Sequence, residues 1–132
     1  MYMSIVSQKT SHALVALYAM AEARQVVQSR RIAKHYGIPQ AYLEQVLVIL
    51  RKSGFCQSVR GKYGGYQLAY APESIQIGKV IQSLEGKSRY GYNRHHMIHD
   101  LDNRLQASMT PVLSETLAQW VQRYQSSFVY AI

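Results

Sequence analysis

What this 132-residue chain does without is informative. It has a single cysteine, Cys56, only seven acidic residues, and no long apolar run. One cysteine excludes a disulfide framework, and it also excludes a zinc ribbon or a cysteine-only iron-sulfur site built within one chain. The longest apolar run, residues 13–21, covers nine residues, against the roughly 20 that a bilayer-crossing helix needs. Ala19-Met20-Ala21 imitates a secretory cleavage site, but polar residues with Lys9 as their one cation precede it, and cleavage there would remove the first helix. No leader and no membrane partner are expected, and the reading is a reduced cytoplasmic protein. Catalytic signatures are missing as well. There is no nucleophile elbow, no phosphate-cradling Walker loop and no zinc-protease pair, so the chain is not read as an enzyme. No internal repeat or low-complexity segment occurs.

What is there is positive charge. Fifteen Lys and Arg against seven Asp and Glu give a net +8. Residues 1–70 hold nine basic and two acidic side chains, whereas residues 71–132 hold six and five. Arg24, Arg30, Arg31, Lys34, Arg51, Lys52, Arg60 and Lys62 are opposed in their stretch only by Glu44. A nucleic-acid backbone is the most economical partner for such a field, with an acidic protein or membrane surface the weaker alternative.

Periodicity gives the organisation. Leu14, Leu17, Tyr18 and Ala21 line one face of a helix over residues 7–23. Residues 25–28 alternate like a small strand, and Ser29 is placed to cap a second helix that runs to Tyr36 and stops at Gly37. Pro39 suits a first-turn position. From there Leu43, Val46, Leu47 and Leu50 recur as the buried face of a third helix ending near Ser53, with Ala41, Glu44, Gln45, Val48 and Lys52 outward. Helix, glycine turn and helix together read as a helix-turn-helix. Residues 55–59 and 66–70 are β-prone and enclose a glycine-rich basic turn, Arg60 to Gly65, which makes a hairpin with cations at its tip.

Beyond it, residues 75–77 are extended and residues 78–84 form a short helix with Val80, Ile81 and Leu84 inward. Residues 87–93 read as a loop. Asn93 is placed to cap a long helix whose Ile98, Leu101, Leu105, Ser108 and Val112 form a two-heptad seam. Such a seam is too short for an independent coiled coil, so it predicts pairing with a symmetry mate through Ile98, Leu101, Leu105 and Val112. Pro111 should kink or end that helix near Thr110. Residues 116–124 form a final helix with Trp120, and the hydrophobic residues 128–132 should dock. The expected fold is mostly α with a small β-hairpin wing (α+β). Residues 1–86 form a winged helix-turn-helix, and residues 94–132 form a dimerisation helix and a C-terminal segment that packs back.

Three blocks are specific in order and spacing: Tyr42-Leu43-Glu44-Gln45, then Leu50-Arg51-Lys52-Ser53-Gly54, then Ser58-Val59-Arg60-Gly61-Lys62-Tyr63-Gly64-Gly65-Tyr66-Gln67-Leu68-Ala69. On these blocks the chain resembles the IscR-type (Rrf-two) winged-helix transcription regulators over residues 4–86, and more loosely beyond. The resemblance implies a dimeric regulator whose second helix-turn-helix helix enters the major groove while the wing reaches the minor groove. Members such as IscR and NsrR carry an iron-sulfur cluster on three cysteines between the short helix and the dimer helix, and some use an acidic ligand near the start of helix one. Here residues 87–100 contain no cysteine, and Ser11 stands at the acidic position. No cofactor is therefore expected. The chain is loosely similar to the cluster-free CymR-like members, whose aromatic C-terminal end Phe128, Tyr130 and Ile132 resemble.

The residues assigned to double-stranded DNA follow from these readings. Gln40, Ala41, Tyr42, Glu44 and Gln45 occupy the helix turns that reach base edges. Gln can pair with adenine, Glu can accept from cytosine, and Tyr42 can bond a phosphate. Glu44 paired with Arg51 and Tyr42 packed on helix two are the structural alternatives. Arg30, Arg31, Lys34, Arg51 and Lys52 suit phosphates. Arg60, Gly61, Lys62 and Tyr63 form the wing tip, where an inserted Arg meets the negative minor groove. The sum is a homodimeric repressor of a pseudo-palindromic operator. Two rival readings stand beside it. One is a metal or metabolite sensor using the histidine-rich start of the long helix, where His95 and His99 share a face, and the other is a basic protein-interaction module. Input from a small-molecule effector or a partner protein is left open. Cys56 reads as a small buried hydrophobe, and Tyr63, Tyr66, Tyr90 and Tyr92 as packing residues, the lining of a ligand pocket or a surface that stacks on nucleic acid.

Overall fold

The run of alanines and leucines from Ala13 to Ala21 leaves helix α1 (Gln8–Ala23) apolar nearly all round, and a helix of that kind belongs in the centre of a fold. In the computed structural model, which describes residues 6–86 and 95–125, α1 is that centre: Ala13, Ala16, Leu17 and Ala19 are fully buried. Ser7 caps it, its hydroxyl accepting from the Thr10 amide at 3.2 Å, and Arg24 ends it in a left-handed conformation at φ 56°. Around α1 lie α2 (Ser29–Tyr36), α3 (Gln40–Lys52), β1 (Cys56–Val59), β2 (Gly65–Leu68), a 3-10 turn at Pro72–Ser74, α4 (Ile77–Glu85), α5 (His96–Leu113) and α6 (Leu117–Tyr124). This mostly α arrangement with one small hairpin is the expected class.

The inward residues of α3, Leu43, Val46, Leu47 and Leu50, close the core from one side, joined by Ile32, Val80 and Leu117. The hairpin pairs antiparallel, Cys56 opposite Leu68 and Val59 opposite Gly65. The expected small strand at residues 25–28 contracts to a single bridge, in which Val27 and Tyr66 exchange two backbone bonds of 2.8 Å. Gly65 is indispensable there. A Cβ on it would sit 2.4 Å from the Val27 carbonyl oxygen, so only glycine lets the hairpin lie against the segment after α1.

Helix α6 packs back onto the core. Leu117 is fully buried, and the Tyr18 hydroxyl donates to the Tyr124 carbonyl at 2.6 Å. Thr116 and Gln119 form a reciprocal capping box at its start. Residues on both sides of the long helix are joined: the Ile77 amide donates to Glu115 at 2.8 Å and the Leu117 amide to Ile75 at 3.0 Å. Gly78 lets α5 end against α4, since a Cβ there would stand 2.8 Å from Leu113 Cβ.

Two local expectations are corrected. Ser29 is the first residue of α2 and does not cap it; Gln28 holds the cap position without a side-chain capping bond, and the Ser29 hydroxyl is engaged elsewhere. Helix α5 continues through Pro111 to Leu113 and does not end near Thr110. A proline there forfeits one amide close to the helix end, and the Ser114 amide still reaches the Thr110 carbonyl at 2.9 Å. The caps assigned to Asn93, the loop at 87–93 and the tail 128–132 fall outside the described residues, except that His95 precedes the helix as its cap residue.

Candidate nucleic-acid interface

Gly37, in the left-handed conformation at φ 66°, turns the chain between α2 and α3, and Ile38 beside it is buried. This geometry sets α3 across α2 and leaves the first turn of α3 at the surface. Gln40, Ala41 and Gln45 are exposed there, together with Arg51 and Lys52 farther along. Arg30 and Lys34 are exposed on α2, and Arg31 is half-buried. At the wing tip Arg60, Gly61 and Lys62 are exposed, Gly61 has φ 110°, and Tyr63 is 83 % exposed with Lys62 Nζ 5.6 Å from its ring centroid. Among the described residues, none of Arg30, Lys34, Arg51, Lys52, Arg60 and Lys62 forms a salt bridge. Arg30 only donates to the Gln28 side chain at 3.3 Å. Within the described residues these cations are therefore unneutralised.

Glu44 departs from the outward position read from the sequence. Glu44 is half-buried and turned back: Ser29 Oγ donates to one carboxylate oxygen, and the Tyr66 hydroxyl to the other at 3.4 Å. One carboxylate thus ties the start of α2, the middle of α3 and strand β2 together. Arg51 is not its partner. Burial, followed by the neighbouring Glu44 charge, raises the Tyr66 phenol above its ordinary range, so it stays a donor. Tyr42 is half-buried as in the packing alternative, but its neighbour is α1: its ring meets His12 edge-on at 5.4 Å. The Ser29–Glu44–Tyr66 link was missed in sequence reading, since its members are 15 and 22 residues apart.

Residues 6–127 match the family described as Rrf2, an iron-dependent transcriptional regulator. The chain belongs to the Rrf2 family. Its sequence is 37% identical over 83 residues to the HTH-type transcriptional regulator IscR of Cereibacter sphaeroides, covering 60% of this chain and 54% of that one. Among solved structures it is similar to CymR, the global cysteine regulator of B. subtilis. That likeness has a TM-score of 0.80 and 28% identity over 92% of this chain and 98% of the other. The T. potens IscR structure gives a TM-score of 0.78 and 30% identity over 97% and 94%. The chain spans about half the length of the curated relatives it matches by sequence. The relatives named here are transcriptional regulators, in keeping with a non-enzymatic chain.

The iron in the family description prompts a test of the donors present in this Rrf2 protein. Iron-sulfur clusters are held by several thiolates. This chain has only Cys56, which is 2 % exposed at the root of the hairpin. Burial pushes its thiol up to about 11, against a smaller opposing pull from Arg51. Such a thiol is not a ready ligand. Among the described residues no three His, Cys, Asp or Glu side chains are grouped to hold a metal, and His95 and His99 are both exposed at the start of α5. The donor set does not fit a cysteine-ligated cluster.

Proposed function

We propose that this Rrf2 protein reads double-stranded DNA as a homodimeric repressor, with α3 in the major groove and the hairpin tip in the minor groove of each half-site. The observation that carries this reading is the Glu44 carboxylate. By holding Ser29 and Tyr66 at once, it fixes α2, α3 and the wing as one unit around which the unpaired cations are arranged. Gln40 and Gln45 offer the amide pairs suited to adenine, while Arg30, Arg31, Lys34, Arg51 and Lys52 suit phosphates. Arg60 and Lys62 reach the minor groove, and the glycines beside them allow close backbone approach. Glu44 serves as a positioning residue and does not read a base.

Helix α5 supports the dimer. None of its residues is buried, and Met97, Ile98, Leu101, Leu105 and Val112 are exposed, from 37 % at Ile98 to 75 % at Met97. An apolar stripe on a helix with so little of its own packing is finished by a second copy, and two-fold symmetry then predicts a two-fold operator. The test is selection from randomised duplex DNA at near-physiological salt, where non-specific phosphate binding is weak. A palindromic consensus, weakened by roughly 1–3 kcal/mol in Arg60→Ala, is expected. Enrichment of no motif, or an unchanged affinity in the variant, overturns the reading.

A further inference from the structure

Away from α3 and the wing tip, a groove of about 850 Å³ opens between the end of α1, strand β2, the 3-10 turn and α6. That volume lies within the range of small-molecule sites. Its floor is apolar, from Met20, Ala21, Leu68 and Val121. Its rim is polar and carries one cation, Arg24, one anion, Glu73, and the amides of Gln25, Gln67 and Gln122. Among the described residues these five side chains hold no hydrogen bond or ion pair, so all remain available to a ligand.

Arg24 is the second observation. It has a positive φ, 56°, unlike every other non-glycine residue described. A left-handed backbone is strained for a residue that carries a side chain. Glycine is the usual occupant of such a helix end, so fold alone favours glycine at position 24. The sequence instead places a guanidinium at the lip of the groove.

We infer that this groove binds a small zwitterion of the free amino-acid type. Arg24 takes its carboxylate, Glu73 its ammonium group, the glutamine amides its remaining polar atoms, and the apolar floor its side chain. Because Gln67 and Leu68 belong to β2 beside Tyr66, while Thr116 and Gln119 stand on the α6 side, a ligand here braces the wing strand against α6. That consequence for DNA rests on the function proposed above, whereas binding itself does not.

The experiment is thermal shift and calorimetry of the full chain with each standard L-amino acid at millimolar concentration, with acetate and propylamine as single-charge controls. At least one amino acid should bind and raise Tm, and neither control should. Arg24→Gly is the decisive variant: it removes the guanidinium and relieves the left-handed strain, so the protein stays folded while affinity falls by roughly tenfold or more, as for a lost charge-assisted hydrogen bond. Glu73→Gln should weaken binding as well. Binding of no amino acid, binding of acetate as tight as that of an amino acid, or unchanged affinity in Arg24→Gly each overturns the site. These outcomes are read without DNA, so they are separable from a failure of operator selection.

Discussion

The core around α1 and the exposed helix α5 use similar residues under opposite circumstances. Leu43, Leu47 and Leu50 on α3 are fully buried within one chain, whereas Leu101 and Leu105 on α5 are 46 % and 50 % exposed. Identical leucines therefore answer to different thermodynamics. The first set stabilises one molecule at any concentration; the second, in the dimer proposed above, stabilises a partnership and is governed by mass action.

The widest separation between the two comes from a pair of substitutions. Leu47→Ala should cost about 2–5 kcal/mol in urea unfolding, with no change in oligomeric state. Leu101→Asp should leave the isolated fold nearly as stable and shift light scattering from dimer to monomer, lowering DNA affinity with the α3 surface intact. A monodisperse Leu101→Asp dimer would contradict the assigned seam. Next in size is Gly65→Val, which forces a side chain toward the Val27 carbonyl. A loss of about 1–3 kcal/mol, typical of overpacking, should accompany faster amide exchange at Val27 and Tyr66.

Cys56 sharpens the contrast from the buried side. Its folded thiol titrates near 11, above the unfolded value of roughly 8.5. The neutral thiol therefore adds stability that is fully present below the unfolded value and lost as pH rises through the folded one. Native protein at pH 8 should resist iodoacetamide, and urea-unfolded protein should react at once. The smallest effect belongs to Glu115. Its carboxylate is held below the usual range by bonds from Arg123 and then Trp120. That contribution is present above the ordinary carboxylate pKa and fades as pH falls through the lowered value. Glu115→Gln should therefore lower stability slightly in the neutral range and converge on the wild type in acid, a flattened acid limb that chemical denaturation between pH 3 and 7 would record.

Periodic features were legible in the residues. The inward face of α3, the Gly37 turn, the hairpin and the exposed seam of α5 follow from local spacing and from glycine placement. What escaped was long-range. Glu44 looked outward by helical arithmetic, but Ser29 and Tyr66, brought near only by the tertiary fold, turned its carboxylate inward. Ser29 lost its expected capping role for the same reason. The proline rule taken alone leaves out the two further residues, Val112 and Leu113, that stay helical after Pro111. The groove between β2 and α6 draws on four separate segments, and no spacing in the chain announces it.

The two backbone bonds that join residues 75 and 77 to residues 117 and 115 have a wider consequence. Helix α4 stays in the core through Val80 and Leu84, so it is α5, none of whose residues is buried, that makes an excursion and rejoins the molecule at this seam. Enlarging a closed excursion is inexpensive, since each doubling of a flexible loop adds only about 0.6 kcal/mol of closure entropy. Descendants of this chain are thus free to gain or lose residues there, or to exchange the whole handle for another, while the fold beneath it stays the same.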